Sequence, residues 1–110
     1  TEGAASNVFI VNNGVVLTPP KSNLLLPGIT RDLVVELCRQ NGVPCVEGAI
    51  SELQLGEADE IWLTSSTKEI IPVTRLDEQP VGDGRPGAVW QRLIALYQEY
   101  KQAFREGRVA

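Results

Sequence analysis

The chain has no methionine and no histidine, only two cysteines, and aromatic residues at 5%. Each shortage excludes something. Without histidine, the commonest metal ligand and the side chain that titrates near neutrality are both missing. Cys38 and Cys45 are spaced for neither a zinc site nor a CxxC motif, so no metal is expected, and both read as reduced core thiols of a cytoplasmic protein. No apolar run approaches the ~20 residues of a membrane span, and the opening residues do not read as a secretory leader. Basic residues are outnumbered, 10 against 14, for a net charge of -4, and no window concentrates them. Nucleic acid is therefore not an expected partner. A local anion site stays open, because it needs oriented donors more than net charge. A translated chain normally starts with methionine. This one starts at Thr1, in what already reads as a structured segment, and is expected to be an excerpt of a longer protein.

What is present is an ordinary globular composition, 43% apolar and 22% charged over 110 residues, enough for one domain. Residues 7–17 read as a hairpin, two β-prone runs around Asn12-Asn13-Gly14. Thr30 has the look of an N-cap for a helix over residues 31–40, stopped by Asn41-Gly42. Strands are expected at 43–46 and 60–64, a short helix or turn at 51–55, and an extended stretch at 69–76. Residues 77–80 and 82–84 read as turns. From residue 87 to about 104, Val89, Leu93, Leu96, Tyr100 and Phe104 recur at helical spacing, with Trp90, Ile94 and Tyr97 widening the stripe. Alternating strands and helices predict an α/β or α+β sheet layered with helices.

Two places carry possible chemistry. Gly28-Ile29-Thr30-Arg31 opens a helix, whose free N–H groups and partial positive charge suit an anion. Thr64-Ser65-Ser66-Thr67 follows a strand, the end at which open α/β sheets bind ligands. The plain alternatives are a capping threonine and a solvated polar loop.

The ordered set is more specific than either part. Glu2-Gly3-Ala4-Ala5-Ser6-Asn7-Val8-Phe9, then Leu24-Leu25-Leu26-Pro27-Gly28-Ile29-Thr30-Arg31, then residues 58–73 with their hydroxyl-rich turn and Glu69-Ile70-Ile71-Pro72-Val73 exit, resemble three segments of the class IV aminotransferases. The resemblance covers nearly the whole chain. It implies the C-terminal part of the fold type IV C-terminal domain, an α/β (α+β) sheet flanked by helices, within a larger two-domain, homodimeric, pyridoxal-phosphate-dependent enzyme. It makes Glu2 the carboxylate facing the pyridine nitrogen, where an anion keeps that nitrogen protonated. It puts Leu26 on the ring face and the 5′-phosphate on Ile29, Thr30 and Ser66. Thr67 then lies toward the substrate carboxylate, and Asn7 braces the site. The family's Schiff-base lysine has no counterpart in Lys21, Lys68 or Lys101. It is expected upstream of Glu2, and the isolated stretch is expected to be inactive.

Amino acids and 2-oxo acids are the substrates this implies. The Thr-Ser-Ser-Thr turn resembles the D-amino-acid group more than the branched-chain group, whose turn is usually of Gly-Thr-Ala type. Branched-chain aminotransferase and aminodeoxychorismate lyase are the alternatives within the family. Outside it stands a phosphate- or nucleotide-binding module, and beside it a relative that has lost catalysis. An excerpt cut ahead of Glu2 is also expected to leave an uncovered sheet edge near the hairpin.

Overall fold

Asn13 and Gly14 take φ of 53° and 79°, the double positive-φ geometry of a two-residue hairpin turn. A computed structural model, which describes residues 6–20, 28–65 and 69–107, accordingly folds β1 (Ser6–Asn12) back on β2 (Val15–Thr18), with Asn12 opposite Val15. Helix α1 (Ile29–Gln40) follows. It ends where expected: Gly42 has φ of 73°, and Val43 N donates to Cys38 O at 2.9 Å, the closing bond of a Schellman turn. That closure consumes Val43, so β3 (Cys45–Glu47) starts two residues later than the apolar run suggests. Strand β3 pairs parallel with β2, which makes α1 their crossover.

The short helix α2 (Glu52–Gly56) is held by a capping box between Ser51 and Gln54. Strand β4 (Glu60–Ser65) then pairs antiparallel with β1, from Ser6 opposite Ser65 to Val11 opposite Glu60, and β5 (Ile70–Val73) pairs with β4. A ribbon of β6 (Arg75–Leu76) and β7 (Gln79–Pro80) leads to α3 (Ala88–Arg105). The sheet order is β3-β2-β1-β4-β5. The edge expected beside the hairpin is not there: β1 and β2 each have two neighbours, because the crossover returns β3 alongside β2. Among the described residues the edges are β3 and β5.

Strand alternation divides the core between the two faces. Phe9, Val11, Val16 and Trp62 pack against α1 and α3 together with Val34, Cys38, Leu93 and Tyr97. The Phe9 and Trp62 rings, opposite each other in register, stack with centroids 5.7 Å apart. On the other face Ile10, Ile61, Ala58 and Val81 pack with Leu55 of α2. Helix α3 runs antiparallel to α1: Arg92 Nη2 reaches Asn41 O, while Phe104 lies beside Thr30. With 18 residues against 12, α3 overhangs α1 by roughly 9 Å at 1.5 Å per residue. The stripe expected to be core throughout is covered only in part. Leu93 and Tyr97 are buried, whereas Phe104 is 57% exposed.

The β6–β7 turn is a site for improvement. Asp77 and Glu78 both hold positive φ, 51° and 67°, a conformation that favours Asn-Gly. The double change Asp77→Asn, Glu78→Gly keeps the Glu78 carbonyl that accepts from Arg75 Nη2 and should stabilise the chain by about 1 kcal/mol. A urea midpoint that fails to rise would refute this.

Candidate functional site

Gly28 is the N-cap of α1, with no side chain to cap the helix, and the first helical bond is Asp32 N to Gly28 O at 2.8 Å. The amides of Ile29, Thr30 and Arg31 precede that bond and form the donor end of the helix. Thr30 is thus not the N-cap read from the sequence. It is the second helical residue and only 5% exposed. The cause is a close approach: a Cβ at position 28 would lie 2.8 Å from Asn7 Oδ1 and 2.8 Å from Arg31 Cβ. Only glycine lets the chain enter the helix this near β1.

Asn7 stands opposite Thr64 in the β1–β4 register, on the face that carries Phe9 opposite Trp62. Thr64 is 2% exposed, and its Oγ1 has no hydrogen-bond partner among the described residues. A buried hydroxyl in that state is rare enough to need an explanation. One position further, Ser6 faces Ser65, and Ser65 N donates to Glu69 O at 3.0 Å, so both ends of the hydroxyl-rich turn are fixed. The start of α1, the start of β1 and the end of β4 therefore gather at one end of the sheet. Of the residues expected to act there, Thr30 is described in full and Ile29 in its helical backbone. Glu2, Leu26, Ser66 and Thr67 lie outside the described residues, as do Lys21 and Lys68.

Arg31 runs along this end of the sheet toward the β3 edge. Only 3% exposed, its guanidinium donates to Pro19 O at 2.8 Å, to the Glu47 carboxylate, and to Asp32 Oδ1 at 3.1 Å. It ties the first turn of α1 to both strands of the crossover. Hydrogen bonding from that guanidinium holds the Glu47 carboxyl below its ordinary range, and Arg39, 3.5 Å away, adds to the effect. Thr30 also borders a cavity of about 460 Å³ between α1 and the C-terminal turns of α3, with Leu33, Tyr97, Tyr100, Lys101 and Phe104. Lys101 sits on the cavity side of α3. Its ammonium lies 4.8 Å from the centre of the Tyr97 ring, where a cation is attracted and the aliphatic stem covers apolar surface. Sequence reading named Thr64 in the hydroxyl-rich turn but did not anticipate its burial. Counting alternate residues back from Trp62 to Glu60 and on to Thr64 would have put it on the helix side.

Known proteins share this arrangement. Residues 1–76 match the family model for class IV amino-transferases. A D-alanine aminotransferase of Bacillus licheniformis is 46% identical over 98 residues, 89% of this chain and 35% of that protein. A branched-chain-amino-acid aminotransferase of Salmonella typhimurium is 41% identical over 93 residues, 84% of this chain and 30% of that protein. The crystal structure of an aminotransferase from Brucella abortus bound to the cofactor PLP superposes with a TM-score of 0.80 at 38% identity, covering 87% of this chain and 33% of that one. The chain spans about a third of the length of the relatives it matches. With the family match over most of its length and the same fold at that identity, the chain belongs to the class IV aminotransferase family.

Proposed function

We propose that the chain is the C-terminal portion of a two-domain, pyridoxal-phosphate-dependent aminotransferase and grips one side of the cofactor. The observation that carries this is the donor end of α1, held against Asn7 at the end of the sheet where Thr64 keeps a buried hydroxyl without a partner among the described residues. The N–H groups of a helix's first turn, beside a glycine that admits close approach, suit a phosphate. In this reading the Ile29 and Thr30 amides, the Thr30 hydroxyl and the Ser66 hydroxyl hold the 5′-phosphate. Leu26 covers a ring face, Glu2 keeps a proton on the pyridine nitrogen, and the Thr67 amide orients the substrate carboxylate. The bound cofactor supplies an electron sink for the pair left on the substrate's Cα. None of Lys21, Lys68 and Lys101 carries the cofactor covalently, so this stretch alone is inactive.

The donor is proposed to be a D-amino acid such as D-alanine. The hydroxyl-rich turn and the D-alanine aminotransferase relatives, up to 46% identical, support that choice. The 41% identity to a branched-chain aminotransferase supports an L-branched-chain donor as the second reading. A cytoplasmic homodimer belongs to the same proposal.

The test uses the full-length enzyme. Thr30→Ala and Ser66→Ala should each weaken cofactor retention roughly 10- to 100-fold, the effect of losing one hydrogen bond to a charged group. Urea unfolding of the cofactor-free protein should change by less than about 1 kcal/mol in each case. Unchanged retention in both variants would sink the assignment. Turnover with L-leucine but not D-alanine would instead select the second reading.

A further inference from the structure

The cavity between α1 and the last turns of α3 has a floor and two walls of different character. Its volume of about 460 Å³ falls within the roughly 300–1,000 Å³ of small-molecule sites. Aromatic surface makes the floor. The Tyr100 and Phe104 rings stack with centroids 6.4 Å apart and planes 16° from parallel, Tyr97 lies buried beside them, and Leu33 faces them from α1. Charge is divided between the walls, Glu36 coming from α1 and Lys101 from α3. Neither has an ion-pair partner among the described residues. Lys101 is half-buried, with its ammonium held 4.8 Å from the centre of the Tyr97 ring. We propose that this cavity binds an aromatic α-amino acid as its zwitterion, the carboxylate on Lys101, the ammonium on Glu36 and the ring on the Tyr100–Phe104 shelf.

Sign decides against simpler ligands. An aromatic carboxylate would gain Lys101 but meet the Glu36 carboxylate, with Asp32 further along the same wall. An aromatic amine would gain Glu36 but meet Lys101, with Arg105 beyond it. Like charges repel over the same distances at which opposite charges attract. A zwitterion satisfies both walls at once and bridges two charges that line one cavity without pairing to each other. Asp32 and Arg105 add to the field of each wall but already bond to Arg31 and Gln102, which leaves Glu36 and Lys101 as the direct partners. The preference for an aromatic side chain follows from the stacked pair. Phe104 is 57% exposed, and its open surface takes a further ring in offset or edge contact. Close by, the Tyr97 face already attracts the ammonium of Lys101, which keeps that cation inside the cavity instead of out in water. The inference does not rest on the cofactor assignment, in which Glu36, Tyr100, Lys101 and Phe104 hold nothing.

Photolabelling of the full-length protein with racemic para-azidophenylalanine tests this. Trypsin cuts after Arg31, Arg39, Arg92, Lys101 and Arg105, so the label should appear on peptides from residues 32–39 and 93–105. Racemic phenylalanine should displace it with a half-effect on the order of 1 mM. Hydrocinnamate and phenethylamine, each lacking one of the two charges, should each compete about fivefold less well. Glu36→Gln and Lys101→Gln should each cut labelling of these peptides about fivefold, whereas Lys101→Arg keeps the cation and should keep the label. All three changes lie on helix surfaces, and circular dichroism of each variant shows that the fold is retained. Label found only outside these peptides would overturn the proposal. So would one-charge compounds that compete as well as phenylalanine, or labelling that neither glutamine variant lowers.

Discussion

Glu60→Ala is expected to lower the unfolding free energy by about 3 kcal/mol, among the largest single-site losses the chain can show. Helix α3 begins at Gly87, which brings no capping side chain. Its cap comes from another strand. Glu60, 9% exposed on β4, accepts from Val89 N at 3.0 Å and Trp90 N at 2.8 Å, and also from Trp62 Nε1 at 3.0 Å. The carboxylate thus meets the positive end of α3 and a buried indole at once. Alanine strands all three donors, the indole most severely because Trp62 is fully buried. Glutamine keeps one acceptor and should recover part of the loss. Gly87 supplies an independent check. A Cβ there would lie 2.1 Å from Glu60 Cδ, so Gly87→Ala should itself cost about 2 kcal/mol by displacing the carboxylate. In a Glu60→Ala background that cost should largely disappear, because the two changes damage one contact. Urea midpoints at constant slope measure the cycle. Simple additivity, or a Glu60→Ala loss below about 1 kcal/mol, would rule out the cross-strand cap.

The second large effect concerns Arg31 and is asymmetric. Glu47→Ala should cost about 2 kcal/mol or more, because it leaves a guanidinium that is 3% exposed without its main counter-charge. Arg31→Met should cost less, although arginine makes more bonds. The released Glu47 side chain is 31% exposed and can return to water, and a thioether chain fills the space the stem leaves. The pH dependence has a definite sign. The Glu47 carboxyl is held below its ordinary range in the folded chain. Its contribution is therefore complete above the unfolded carboxylate value of ~4.3 and fades as pH falls through the lower folded value. The gap between wild type and Glu47→Ala should be constant above about pH 4.3 and close as pH falls below it. Equal losses for the two substitutions, or a gap that widens in acid, would count against the clamp.

These two residues also mark where the sequence stopped being informative. Local signals were legible. Asn13-Gly14 announced its turn because few residues accept positive φ. Asn41-Gly42 announced the end of α1, and Ser51 with Gln54 made the short helix recognisable at its start. The α3 stripe fixed a long helix, though not how far α1 would cover it. What the sequence hid was every contact between distant segments. Arg31 finds Glu47 across a crossover, and Glu60 finds Trp90 of α3 at a separation of 30 positions. Thr30 looked like a cap because a hydroxyl before a helix usually is one, while the true cap, Gly28, has no side chain to signal with. The site was legible in a different way. Ordered motifs, rather than physics, singled out Ile29, Thr30 and Ser66. The fold sets Asn7 opposite Thr64, a pairing that depends on a β1–β4 register no local pattern encodes.

That register has a kinetic consequence. The β1–β2 hairpin closes over a two-residue turn, within microseconds for such elements. The β1–β4 pair at the centre of the sheet joins residues on the order of fifty to sixty apart, the widest being Ser6 with Ser65. Loop-closure entropy opposes such contacts until α1, β3 and α2 have condensed between them. The strand ends beside Gly28 should therefore be the last part of the sheet to zip and the first to open. The end of the molecule proposed to receive an anion is then also the end whose order a bound anion would most improve.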